Sequence, residues 1–187
     1  MNEISHDVIR CAAGGDMSAF EAIYKDASGF VYNVALRIAQ KPADAEEVTQ
    51  DVFVKIFKSL KDFEFKSSFK TWAYRITVNT ALNRCRQSAK DREMIGVEDI
   101  SVIPAKKDDL KERIELEDSE AKAGVMLSAL NPEQRACIVL REIEGLDYNE
   151  ISRVLNIPVN TVRSRLKRGR ETLAAFVRKG VASHEVR

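Results

Sequence analysis

Along almost the whole chain, apolar residues return at spacings of three and four, and little interrupts them: 187 residues hold only 8 glycines and 4 prolines. That periodicity gathers the apolar residues on one side of a helix turning about 100° per residue. No alternating run flanked by hairpin turns competes with it. The pattern therefore predicts an all-α protein. A composition of 44% apolar and 32% charged residues is that of a soluble globular chain, long enough for one domain or for two small ones.

Local signals divide the first half. A short helix is expected over Ser5 to Ala13, stopped by Gly14 and Gly15. Asp16 can cap a second helix through about Asp26, and a third is expected near Phe30 to Gln40, ended by Pro42. Asp44 and Glu47 have the spacing of an acidic capping box that opens a helix to about Leu60, with Val48, Val52, Ile56 and Leu60 as its inner stripe. After a loop over Phe63 to Ser68, another helix is expected from about Phe69 to Gln87. From Asp91 to Glu120 the composition shifts to eleven acidic against five basic residues. This reads as an acidic linker whose later part, Asp109 to Lys122, has helix-forming residues. The sequence thus divides into a domain over 1–90, a linker over 91–124 and a second domain over 125–187.

Several function classes find no support. The first 30 residues carry Glu3, Asp7, Arg10 and Asp16 without a sustained apolar core, and the longest mostly apolar stretch, Phe30 to Ala39, is far too short to span a bilayer. A cytoplasmic protein without membrane insertion is expected. Cys11, Cys85 and Cys137 are single and widely spaced, which suits buried reduced thiols better than zinc or redox chemistry, and His6 and His184 stand alone at opposite ends. Paired carboxylates, HxxxH, GxxxxGK and Ser-His arrangements are absent, so no enzyme, metal or cofactor is expected. Net charge is only +1, and any affinity for a polyanion must come from where the charges sit.

They sit in two places. In the helix after the loop, Tyr74, Val78, Ala81, Leu82 and Cys85 form a core face. The opposite face carries Trp72, Ile76, Asn79 and Asn83, and residues 70–90 hold five basic residues (Lys70, Arg75, Arg84, Arg86, Lys90) with no acidic one. An aromatic ring and amides flanked by cations suit a surface that holds a phosphate backbone and meets unstacked bases. A helix buried on both sides, with Trp72 in a core and the amides satisfying loop carbonyls, accounts for the same pattern.

The second place is near the C-terminus. Asn131 before Pro132 can cap a helix with Ala136, Val139, Leu140 and Ile143 inward, and Gly145 stands where a terminating glycine belongs. Asp147 and Glu150 form a second capping box, opening a short helix with Tyr148, Ile151 and Leu155 on one side. After a tight turn at Asn156 to Pro158 comes a helix with Val162, Leu166 and Leu173 inward. From Val159 to Lys179 there are seven basic residues against Glu171 alone. Two short helices joined by such a turn, the second basic, match a DNA-reading helix-turn-helix. A merely solvated basic face is the plainer alternative.

With both halves in view, the chain resembles an alternative sigma factor of bacterial RNA polymerase, of the extracytoplasmic-function subfamily. The stretches that carry the resemblance are DAEEVTQDVFVKIFKSL (44–60), FKTWAYRITVNTALNRCR (69–86) and YNEISRVLNIPVNTVRSRLKRGRETL (148–173). The resemblance implies two small helical domains joined by the acidic linker. It implies a 44–60 helix that docks on the clamp helices of the polymerase's largest subunit through Glu47, Gln50, Asp51 and Val54. It also implies a minus-ten reader using Phe63, Lys66, Ser67, Trp72, Arg75, Asn79, Asn83 and Arg84, with a base of the non-template strand held by the loop. The terminal helix would read the minus-thirty-five element through Asn160, Thr161, Arg163, Ser164, Lys167 and Arg168. Further implied partners are the flap region of the second-largest subunit, promoter DNA and an anti-sigma factor. Glu64 and Phe65 stand where members commonly carry a basic residue and a glycine, Asn160 where glycine is frequent, and Pro158 at a usual capping position. A free-standing helix-turn-helix repressor would need a dimer surface, and no heptad seam or spare apolar helix is evident.

Overall fold

The structure, a computed structural model, describes residues 4–94 and 119–182, all of whose regular elements are helices. The described residues divide into two compact units, one of the residues up to Arg84 together with Ser152–Asn156 and the other of the rest. No helix among the described residues is long and apolar enough to cross a membrane.

In the first unit, α1 (His6–Ala13) begins at Ser5, whose Oγ accepts from Val8 N at 3.3 Å, and Gly15 at φ 98° turns the chain after it. Asp16 caps α2 (Met17–Ala39) by accepting from the amides of Ser18 and Ala19 at 2.8 and 3.1 Å. The break expected between Asp26 and Phe30 does not occur. Ile23, Ala27, Val31, Val34 and Ile38 form one fully buried stripe through it. The cost of Gly29 in a helix, about 1 kcal/mol, is outweighed by that packing. Gln40, left-handed at φ 63°, ends α2, its amide donating to the Arg37 carbonyl at 2.7 Å.

Helix α3 (Pro42–Ser59) starts two residues before the expected capping box, with Pro42 in its first turn and no side-chain cap at Lys41. Asp44 and Glu47 form no such box. Both are engaged by Arg84, which donates through Nε to Asp44 at 2.8 Å and through Nη1 to Glu47 at 2.9 Å. The stripe of Val48, Val52, Ile56 and Leu60 is buried as expected. After a 3₁₀ turn over Leu60–Asp62 and a loop, α4 (Phe69–Met94) opens with Ser68 Oγ accepting from Thr71 N at 3.1 Å. It runs well past Gln87, so the linker's first residues are helical. Tyr74, Val78, Ala81 and Leu82 are buried, while Cys85 is only half-buried.

The remainder of the expected linker to 118 lies outside the described residues. In the second unit come α5 (Ser119–Ser128) and α6 (Pro132–Ile138), the latter capped by Asn131 Oδ1, which accepts from Gln134 N at 2.9 Å. α6 widens into a π turn over Val139–Ile143. The extra residue per turn moves Ile143 off the inward line: it is 41% exposed, against expectation, while Ala136, Val139 and Leu140 are buried. Gly145, at φ 76°, follows.

The capping box of α7 (Tyr148–Leu155) forms in full: Asp147 Oδ1 accepts from Asn149 N and Glu150 N, and Glu150 Oε2 accepts from Asp147 N at 2.8 Å. Ile151 and Leu155 are buried, and Tyr148 carries the Arg141 guanidinium over its ring at 5.4 Å. Asn156 takes the turn at φ 51°, and α8 (Val159–Ala182) follows with Val162 and Leu166 buried and Leu173 half-buried. Of the three thiols only Cys137 is buried, which pushes its pKa up to about 11, whereas Cys11 is exposed against expectation.

Candidate nucleic-acid interface

Helices α3 and α4 enclose a shallow groove of about 270 Å³. Trp72, Arg75, Ile76, Asn79, Thr80 and Asn83 line it from α4, and Lys55 and Ser59 line it from α3. The expected line of aromatic, apolar and amide side chains is therefore a continuous surface. Trp72 belongs to a core as well: it is half-buried, with Phe63 and Phe69 at centroid distances of 5.1 and 5.7 Å. Lys55 was not foreseen. It sits one residue before Ile56 of the buried stripe, on the flank of α3, and its Nζ donates to Thr80 Oγ1 at 2.9 Å. That placement adds a second cation to the groove beside Arg75, a setting that suits a phosphate.

Two of the side chains expected to meet bases are engaged within the protein. Phe63 is 8% exposed and packed among Phe65, Phe69 and Trp72, so its ring is core rather than a contact surface. Arg84 is turned to Asp44 and Glu47, joining α4 to α3, so it and Glu47 belong to one cluster instead of two separate interfaces. Lys66 and Ser67 are exposed at the loop tip, with Lys66 paired to Glu64. Between them and Phe63 stands Phe65 at φ 56°, a left-handed backbone that costs an L-residue about 1–2 kcal/mol.

On the outer side of α3, Gln50 and Asp51 are exposed and Val54 is 51% exposed. Sequence reading missed their apolar companions. Phe57, three residues beyond Val54, is 47% exposed and meets Phe20 of α2 edge-on at 5.0 Å; Tyr24 is equally open and leans on Phe53 at 4.5 Å. Large apolar groups at helical spacing read as core, and only their exposure separates these from the buried stripe.

In the second unit α8 presents Asn160, Arg163, Ser164, Lys167 and Arg168 to solvent, with Thr161 half-buried. Arg163 Nη1 donates to Asn160 Oδ1 at 3.1 Å, and Ser164 Oγ donates to the Thr161 carbonyl at 2.9 Å. These short bonds hold the start of the helix face in order. Arg170 is committed elsewhere, donating to Glu142 through Nε and Nη2 at 3.0 and 2.7 Å, hydrogen bonds that raise its pKa. The opposite side is tightly packed. A Cβ on Gly169 would lie 3.0 Å from Ile138 Cγ1, so the glycine lets α8 approach α6. Gly169→Val should cost about 1–3 kcal/mol by overpacking and displace the exposed face with it. Urea denaturation of the variant, with no loss of stability, would show that Ile138 yields.

Two family models match the chain. Residues 23–91 match the model of sigma-70 region 2, and residues 122–173 match that of sigma-70 region 4. The chain is 36% identical over 172 residues to the ECF RNA polymerase sigma factor SigE of Mycolicibacterium smegmatis, covering 89% of this chain and 66% of that protein. It is 34% identical to the RNA polymerase sigma-H factor of Pseudomonas aeruginosa, with 85% and 86% covered, and 31% identical to the ECF RNA polymerase sigma factor SigW of Bacillus subtilis, with 88% and 91% covered. Among solved structures, CnrH in complex with the cytosolic domain of CnrY shares the fold at a TM-score of 0.66 and 23% identity, over 94% of this chain and 98% of that one. RpoE of Bartonella quintana, solved with the anti-sigma factor NepR, gives the same TM-score at 22% identity, over 85% and 96%. With its groove and loop in region 2 and its capped helix-turn-helix in region 4, the chain belongs to the ECF sigma factors of the sigma-70 family.

Proposed function

We propose that the chain is a dissociable initiation subunit that binds core RNA polymerase, directs it to particular promoters and assists melting, making and breaking no bond itself. The observation that carries this reading is the presence on one chain of two different nucleic-acid surfaces: an exposed basic face on a helix-turn-helix, and a groove of aromatic, amide and cationic groups beside an exposed loop. The first suits duplex major groove, where Arg168 and Lys167 meet base edges and Arg163 and Ser164 flank them. The second suits unstacked DNA, with Trp72, Asn79 and Asn83 facing bases, Arg75 and Lys55 neutralising phosphate, and Lys66 and Ser67 holding an extruded base. Bases captured there offset the cost of unstacking. Once one element is held, the search for the other becomes intramolecular.

Residues 1–90 and 125–187 serve as the two readers and 91–124 as their tether. The outer side of α3, with Gln50, Asp51 and Val54 joined by Phe57, docks on the clamp helices of the largest subunit, and the C-terminal unit meets the flap region of the second-largest. Relatives solved with an anti-sigma factor or a partner's cytosolic domain support an anti-sigma factor for this chain and action in the cytoplasm.

Promoter-dependent transcription by core polymerase supplemented with the purified protein tests the reading; a repressor or an enzyme would not supply it. Within that assay the two surfaces should separate. Arg168→Ala should weaken closed-complex binding by about 1–3 kcal/mol and relax preference at one minus-thirty-five base pair. Asn79→Ala should leave closed binding nearly intact and slow strand opening, seen as weaker permanganate reactivity of melted thymines. If Asn79→Ala instead lost duplex binding and a pre-melted template failed to restore it, Asn79 would be a structural amide.

A further inference from the structure

Three non-glycine residues of the described chain have positive φ: Gln40, Phe65 and Asn156. Gln40 ends a helix and bonds a carbonyl with its own amide, and Asn156 has the short polar side chain that tolerates this conformation. Phe65 has neither excuse. A bulky residue keeps such a backbone only where its surroundings over-determine it, and at Phe65 the surroundings are specific. Its ring lies 4.8 Å from the ring of His6, with the Arg10 guanidinium 5.4 Å above it, and 4.8 Å from the buried ring of Phe63. His6 and Arg10 lie one turn apart on α1, a helix anchored through buried Ile9 and Ala12. The N-terminal helix thus grips the loop at its one strained residue, immediately before the exposed Lys66 and Ser67.

We propose that Phe65 is a positioning residue for base capture and that α1 is the brace that holds it. The proposal rests on the reading of this loop as the base-capturing element. A left-handed residue reverses the local course of the backbone, so the state of Phe65 sets where Lys66 and Ser67 are presented. With the ring clamped, the loop is held in one conformation before DNA arrives. With the clamp removed, Phe65 relaxes toward extended backbone and only part of the population presents the tip correctly, which lowers apparent affinity by that fraction.

Holoenzyme assembled from core polymerase and the full chain, mixed with a pool of single-stranded DNA carrying a short randomised window, tests this when the retained strands are sequenced. Phe65→Ala, which removes the ring but keeps the Cβ that disfavours positive φ, should flatten the preference at one base position by about fivefold. His6→Ala with Arg10→Ala should do the same, and the triple variant should be no worse than Phe65→Ala, because all three act through one contact. Phe65→Tyr should retain the preference, and affinity for core polymerase should be unchanged throughout. His6 and Arg10 are exposed, so their double variant reports on the loop even where Phe65→Ala perturbs folding. Undiminished preference in Phe65→Ala and in the double variant, with a loss in Lys66→Ala or Ser67→Ala, would overturn the brace and leave the loop as base reader. If no loop substitution moved the preference, base capture by this loop would fall and the brace with it.

Discussion

Arg135→Ala is expected to destabilise the C-terminal unit by about 3 kcal/mol, the largest effect on stability expected of any substitution in that unit outside its apolar core. Arg135 is buried, and the burial lowers its pKa. A guanidinium in that setting needs acceptors, and the chain supplies carbonyls: Nε donates to Leu127 at 2.9 Å and Nη2 to Leu130 at 2.7 Å. These oxygens belong to the last turns of α5 and the chain just after it, where backbone acceptors run out of helical partners and where a cation complements the helix dipole. Alanine removes two charge-assisted bonds, leaves the Leu130 oxygen without this donor, and opens a cavity between α5 and α6. Arg135→Lys keeps the charge but not the planar fork, and should recover only part of the loss. The measurement has a convenient internal contrast. The chain's one tryptophan is Trp72, in the first unit. Urea unfolding followed by Trp72 fluorescence should therefore hold its midpoint, while loss of helical circular dichroism splits and its earlier phase moves to lower urea. A single unshifted transition by both probes would show that the carbonyls are equally well served without Arg135.

Arg135 also shows where sequence reading stops. An arginine following Glu133 and Gln134 reads as surface, and nothing local says that carbonyls five and eight residues back will enclose it. What was legible was what short-range chemistry decides. The caps at Asp16, Asn131 and Asp147 with Glu150 formed as their spacing predicted, because a cap is completed within three residues. The basic face of α8 was legible because period and charge coincide on it.

The misses share one cause. Asp44 and Glu47 have the spacing of a cap, yet Arg84, 40 and 37 residues away, claims them. Gly29 looks like a break, yet the stripe of α2 packs through it. Ile143 was assigned inward by a period of 3.6 that the π turn does not keep. Phe57 and Tyr24 have the spacing of core residues and are open to solvent. In each case a long-range partner or a shift of helical phase overrides the local rule, and a sequence read alone carries neither.

That last miss bears on the second large effect, because it gives the side of α3 proposed to dock on core polymerase an exposed apolar centre. Asp51→Arg is expected to weaken binding to core polymerase about a hundredfold, close to 2.7 kcal/mol. Asp51, Val54 and Phe57 follow one another at spacings of three along α3, so they share a side, with Gln50 next to them. An exposed aromatic and a valine beside a carboxylate make an apolar centre with a charged rim, and the proposed docking through α3 calls for an apolar partner surface with a cation opposite Asp51. Reversal removes that attraction and sets two cations against each other, whereas Asp51→Asn removes the attraction alone and should cost about tenfold. Phe57→Ala should cost as much as the reversal, by a different route. Its loss is of buried area, so it should persist at high salt, while the effect of Asp51→Arg should shrink as ionic strength rises and the Debye length falls to about 3 Å near 1 M. Asp51 is exposed in the free protein, so the stability of its variants in urea should stay within about 0.5 kcal/mol of the parent, whereas Phe57→Ala also gives up its edge contact with Phe20 and should lose about 1 kcal/mol. Titration of labelled protein into core polymerase at two salt concentrations measures both contributions. Unchanged affinity in Asp51→Arg and Phe57→Ala alike would move the polymerase contact off α3 altogether, and a salt-independent loss in Asp51→Arg would mean that the substitution obstructs the surface sterically and that no cation faces Asp51.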